Sequence, residues 1–298
     1  MLLKNRKPSE NGGIGSRIFD FCNILFMLCL AFITLYPMYN IFIVSISSAE
    51  YIYAGAVSFI PKGINFDAYR MVFKNDSIWR SFGNSILYTT VGTAINVVCS
   101  AMCAYPLSRK DFYGRGFFTL FVAVTMFISG GMIPSYLVVN QLRLINTMWA
   151  IVLPGAISTY NMIIMRTFFQ NLPVSLQESA YLDGANDITI LFKVVLPLSM
   201  PIIATMTLFY AVGHWNSYFN AMIYLNSKSK FPLQVLLREI VVAGNMADES
   251  SDLTSNINII AINFKYAVIV ITVVPILVVY PFLQKHFTKG VMIGAIKG

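Results

Sequence analysis

The chain has 298 residues, 57% of them hydrophobic and only 11% charged, with mean hydropathy +0.67. A soluble domain is about a quarter charged, so a water-coated globule is excluded and the bilayer is the expected solvent. The formal net charge of +8 does not indicate nucleic acid. The basic residues stand in short groups at the ends of apolar runs, as headgroup anchors do, with no aromatic-interleaved stripe.

A spanning helix needs about 20 mostly apolar residues to cross about 30 Å. Residues 1–20 read as a polar tail. Spans are then expected near 21–47, 84–107, 117–139, 147–168, 196–218 and 264–283, followed by a tail at 284–298. The first apolar run is longer than the core of a signal peptide and reads as a retained anchor. The second and fifth are the least clean, because they carry Asn84, Asn96, His214 and Asn216. Cys22, Cys29, Cys99 and Cys103 all lie inside apolar runs without metal-ligand spacing, and read as packing residues. The fold class is therefore an all-α membrane protein of six transmembrane helices over 21–283.

Lys4, Arg6, Lys7 and Arg17 before the first span, Arg109, Lys110 and Arg115 after the second, and Lys285, Lys289 and Lys297 at the end mark the cytoplasmic side. Both termini are then inside, the protein is a multi-pass protein of a bacterial inner membrane, and the loop 169–195 is cytoplasmic. The outer segment 48–83 predicts a turn and a short helix. "FPLQVLLREIV" (231–241) predicts a helix along the membrane surface or against the bundle.

Several chemistries are missing. The chain has no GxxxxGK[ST], no HExxH and no GxSxG, and its only histidines are His214 and His286. All 13 acidic residues fall at or beyond the expected span ends. A secondary transporter usually carries ionisable groups at mid-membrane depth. Transport work here is therefore expected to be powered from outside the chain, with no catalytic residue, no metal and no bound cofactor.

The cytoplasmic loop reads "SLQESAYLDGAN" over 175–186. Ser175 and Glu178 have capping-box spacing, Leu176, Ala180 and Tyr181 form a small apolar face, and Gly184 ends the helix. Pro197 and Pro201 then mark the entry or a kink of the fifth span. A short exposed helix with small residues Ser179, Ala180, Gly184 and Ala185 and carboxylates Glu178 and Asp183 suits a partner's groove.

Glu178-Ser179-Ala180, Asp183-Gly184-Ala185 and Leu196-Pro197 resemble the EAA---G---------I-LP motif of ABC-importer permeases, with Ser179 in place of the first alanine. "WNSYFNAMIYL" (215–225) and "KGVMIGAIKG" (289–298) are similar to the carbohydrate type, related to the second maltose permease subunit, and to its LplC-like or YtcP-like branch. The resemblance implies a type I importer permease whose 176–186 helix is a coupling helix. It implies as partners a second permease subunit, two ATP-binding subunits that use ATP and Mg, and an extracytoplasmic sugar-binding protein. It implies oligosaccharide import. Trp215, Asn216, Tyr218 and Asn220, with Tyr136, Asn140, Asn161 and Tyr224, supply rings and polar groups for a sugar path. Lys297 and Gly298 are implied as an ATPase-contacting tail. Two alternatives stand beside this reading: an importer for another solute, and a stand-alone secondary transporter or channel.

Overall fold

A computed structural model of the chain describes residues 14–249, 262–279 and 281. The described residues are helical, with no strand among them. The tail calls at Lys297 and Gly298 lie outside these residues. The chain divides into two compact units, Met1–Met71 with Ser250–Val270 and Val72–Glu249 with Ile271–Gly298.

In the first unit, helix α1 (Ile14–Ser45) runs 32 residues. None of its most apolar window is buried. Such a face is stable in hydrocarbon, not in water. Helix α2 (Ala49–Tyr53) precedes a turn at Gly63, and the start of α3 (Asp67–Lys74) follows it. Gly63 has φ +61°, and a Cβ there would lie 2.6 Å from Ser48 Oγ. The expected turn and short helix are thus present.

The second unit is organised by α4 (Asp76–Ser108), which begins two turns earlier than its apolar window because Asn75 caps it, accepting a bond from Ser77 N–H. The next two windows are not single helices. The third is divided into α5 (Arg115–Val124) and α6 (Met132–Gln141), with Gly131 between them at φ +79°. The fourth is divided into α7 (Trp149–Val152) and α8 (Thr159–Gln170) around Pro154 and Gly155. Glycine at positive φ and proline both end helices, and hydropathy alone does not register either inside these runs.

The loop helix α9 (Val174–Leu182) leads to α10 (Asp187–Ile190), a π-helical turn at Leu191–Val195 and α11 (Leu196–Leu198). Helix α12 (Met200–Trp215) leaves this stretch at an 87° bend. Pro201 has no N–H for the carbonyl four residues back, so the turn cannot continue through Ser199. The expected kink is present. Helices α13 (Phe219–Tyr224), α14 (Leu233–Glu249) and α15 (Ile262–Val279) complete the order. Leu233 and Val235 are buried, so α14 starts against the bundle. Among the described residues three helices are long and apolar enough to cross a membrane alone, and the bent pair makes a fourth.

The core of the second unit is the seam of α4, α8 and α12, with Ala101, Ala104, Met162, Met165 and Met206 buried. The buried face of α4 is small and polar, including Ser85, Gly92, Asn96 and Ser100. This inverts the soluble pattern. Lipid solvates leucine as well as a neighbouring helix does, so small and polar residues mark the packed side. His214 Nε2 meets Asn96 Oδ1 at 2.5 Å, and Asn96 Nδ2 donates to the Gly155 carbonyl at 2.5 Å. Tyr210 O–H accepts from Ser158 N–H at 3.3 Å and shares a bond with Ser100 Oγ at 2.6 Å. Two backbone groups at the break between α7 and α8, the Gly155 carbonyl and the Ser158 N–H, therefore find partners in Asn96 of the second window and Tyr210 of the fifth.

A Cβ on Gly92 would lie 2.5 Å from His214 Nε2. Gly92→Val is expected to push the ring off Asn96 and loosen the Gly155 contact. The loss is about 2 kcal/mol of stability, read as a lowered melting temperature of the purified complex.

Candidate functional site

The nine residues of α9 begin directly after Pro173. Pro173, with φ −58° and ψ 124°, stands just outside the helix, which starts one residue before Ser175. No side chain caps it, and the expected Ser175–Glu178 capping box does not form. The end is as expected. Gly184 has φ +80°, Ala185 N–H donates to Ala180 O at 3.0 Å and Gly184 N–H to Tyr181 O at 2.9 Å. This is the paired-bond stop that a glycine past the helix permits. Asn186 then caps α10 by accepting from Thr189 N–H at 2.8 Å.

The residues of the loop pattern separate by face. Ala180, Ala185 and Leu196 pack on the protein's own core. Glu178, Ser179, Asp183 and Gly184 are exposed, and Pro197 is exposed beyond the π turn. Ala180 and Ala185 thus bring the helix close to its own bundle, rather than admitting a partner. The expected apolar face is also redistributed. Leu176 and Tyr181 are exposed, and so is Leu182, at 89%, a knob that the sequence reading passed over.

One side of α9 is tied down by Arg109, the residue just past the end of α4. Its Nε and Nη2 donate to both oxygens of Asp111 at 2.9 and 2.7 Å. Nη1 donates to Tyr105 O–H at 3.0 Å, Gln177 Oε1 at 3.2 Å and Tyr181 O–H at 2.8 Å, with Asp187 at 3.7 Å. The guanidinium also lies 5.0 Å over the Tyr181 ring, and Tyr181 O–H donates to Asp187. The hydrogen bond from Arg109 holds the Asp111 carboxyl below the usual carboxylate range. Burial, and then its bond to Asp187, pushes the Tyr181 phenol up to about 12. Both groups keep one protonation state through neutral pH, so the tie is constant there. Between this loop and α9 lies a cavity of about 510 Å³ lined by Arg109, Lys110, Arg115, Gln177, Glu178 and others. In the sequence Arg109 reads only as a membrane anchor. Its link to Tyr181 spans 72 positions, and no linear spacing encodes it.

The residues proposed for a sugar path do not all converge. Trp215 is 7% exposed, and its N–H donates to Thr272 O at 3.3 Å. Its ring edges a cavity of about 290 Å³ lined mostly by apolar residues such as Phe82, Ile86 and Leu208, a poor fit to hydroxyls. Tyr224 and Asn161 are buried, and Tyr136 stacks on Tyr224 at 6.1 Å. Asn140, Asn216, Tyr218 and Asn220 are exposed. Asn146, at φ +60°, was not anticipated. It accepts from Asn226 and Ser227 N–H at 3.3 and 3.2 Å and fixes the segment after α13.

A family model described as "Binding-protein-dependent transport system inner membrane component" matches residues 96–293. The chain belongs to this family. The permease is 45% identical over 284 residues to the polygalacturonan/rhamnogalacturonan transport system permease protein YtcP of Bacillus subtilis (strain 168), covering 95% of this chain and 99% of that protein. It is 44% identical over 282 residues to Protein LplC of the same organism, covering 95% and 96%. A crystal structure of a bacterial ABC transporter involved in the import of the acidic polysaccharide alginate matches with TM-score 0.84 at 35% identity, covering 93% of this chain and 99% of that one. The resemblance to ABC-importer permeases is borne out. The chain is a membrane protein with the type I ABC-importer permease fold, a non-catalytic subunit of an importer.

Proposed function

We propose that this permease is one of two in an ATP-driven importer of oligosaccharides, and that α9 is its coupling helix. The observation that carries this reading is the split of α9. One side is bolted to the ends of α4 and α10 through Arg109, and the other presents Glu178, Ser179, Asp183 and Leu182 to a partner. A peg that is exposed and yet tied to the long helix α4 is what a motor protein needs in order to move a bundle. Two ATP-binding subunits, which use ATP and Mg, engage the two permeases from the cytoplasm. An extracytoplasmic binding protein delivers the sugar.

In this reading the chain crosses a bacterial inner membrane six times with both termini inside. The broken pairs α5–α6 and α7–α8 each count as one crossing. Oligosaccharide cargo follows from the relatives named for polygalacturonan, rhamnogalacturonan and alginate. The exposed Asn216, Tyr218, Asn220 and Asn140 remain on the candidate path, and Lys297 and Gly298 on a candidate ATPase contact.

Uptake into vesicles containing the whole complex decides this against a stand-alone transporter. Depleting ATP while holding ion gradients is expected to stop uptake. Uptake that persists without ATP overturns the importer reading.

A further inference from the structure

We propose that Arg238, seated on Tyr218, forms the centre of a carboxylate-binding subsite of the permease that receives a uronate unit of a passing oligosaccharide. This deepens the importer reading and rests on it.

Arg238 is exposed near the middle of α14. Its guanidinium carbon lies 5.6 Å over the Tyr218 ring, and Nη1 lies 2.9 Å from Met222 Sδ. These contacts fix the plane of the group without neutralising it. Among the described residues no carboxylate forms an ion pair with Arg238. Its neighbour Glu239 is exposed and does not pair with it. A guanidinium stacked on a ring loses little freedom on binding, and its donor edge matches two carboxylate oxygens.

The surroundings fit the rest of a sugar. Gln234, one turn back on α14, reaches Asn216 Oδ1 at 3.4 Å. Asn216 and Asn220 flank Tyr218; the Asn216 amide is held by Val212 O at 2.9 Å and by Gln234, and the exposed Asn220 amide can both donate to and accept from hydroxyls. Phe219 is half exposed and meets Tyr218 edge-on at 6.4 Å, offering an apolar ring face. A charged fork, amides and a bare ring within one patch match a sugar acid better than a neutral sugar, which leaves the guanidinium unused.

The patch is also firmly mounted. Leu233 N–H donates to Ser85 Oγ at 2.8 Å, Asn84 Nδ2 donates to the Ser229 and Phe231 carbonyls at 2.9 and 3.1 Å, and Tyr88 O–H donates to Lys230 O at 2.8 Å. These bonds fix the start of α14 to α4, so Arg238 does not have to be ordered by its ligand.

The test uses the complex of both permeases and both ATPases in nanodiscs, held with ATP by hydrolysis-inactive ATPases and without the binding protein. Trigalacturonate and its fully methyl-esterified form are titrated by calorimetry. The wild type is expected to bind the acid more tightly than the ester. R238Q is expected to weaken the acid about tenfold and leave the ester unchanged, with R238K between. The proposal is overturned if the wild type binds neither or does not prefer the acid. It is equally overturned if R238Q alters both sugars alike, or if the R238Q effect disappears in discs without anionic lipid, which would assign Arg238 to a headgroup. ATP-dependent uptake by the wild type, measured separately, shows whether the importer reading itself survives.

Discussion

Replacing Gly184 by tryptophan is expected to abolish ATPase attachment while leaving the permease folded in the membrane. The backbone there has φ +80°, which costs an ordinary side chain about 1 kcal/mol. Yet a Cβ on Gly184 meets nothing within 4 Å of its own chain. The indole therefore has free space until a partner closes on α9. Gly184→Ala supplies the same backbone cost with almost no bulk and serves as the control. Co-purification of the ATPase is expected to survive in the alanine variant and to fall more than tenfold with tryptophan, with uptake following. Normal ATPase yield and transport in Gly184→Trp would refute the assignment of α9.

The second large effect is expected at Arg109. Its side chain is only 16% exposed and joins Tyr105, Asp111, Gln177, Tyr181 and Asp187. Arg109→Ala removes these bonds together and leaves Asp111 and Asp187 without their cation. Hydrogen bonds to a charged group contribute roughly 1.5–3 kcal/mol each before solvent exposure reduces them. The local geometry of α9, set by Pro173 and Gly184, does not depend on Arg109. The helix should still form and still bind the ATPase, but it would no longer carry α4 with it. The expected result is near-normal basal ATP hydrolysis in the assembled complex with uptake reduced tenfold or more. Arg109→Lys should recover little, because a point charge cannot bridge several acceptors as a planar fork does. A transport-to-hydrolysis ratio equal to the wild type in Arg109→Ala would remove the tie from the coupling path. The tie also has a pH signature. Asp111 is held low by Arg109, so its contribution is complete above the ordinary carboxylate pKa and is lost as the pH falls through its lowered value. Coupling should therefore be flat across neutral pH.

The membrane class, the exposed loop helix and the kink before α12 were legible in the sequence because each has a local physical cause. Too few charges cannot cover a water-facing surface. Gly184 admits a left-handed stop, and Pro201 withholds a donor. The start of α9 differs from the capping pattern because the helix begins at Val174, directly after the extended Pro173 and without a side-chain cap.

What only the tertiary structure decided is which polar groups are partners. Asn96 and His214 look like impurities in apolar runs. Asn96, held by His214, and Tyr210 give the broken stretch between α7 and α8 hydrogen bonds. Hydropathy adds residues one at a time and cannot see that a donor on α4 cancels an orphan carbonyl 59 positions away. Arg109 and Tyr181 illustrate the same limit at the cytoplasmic face, and Arg238 and Tyr218 on the segment after α12. Composition fixes the solvent, and local stereochemistry fixes the turns. The pairing of buried polar groups depends on distances that exist only once the helices are packed.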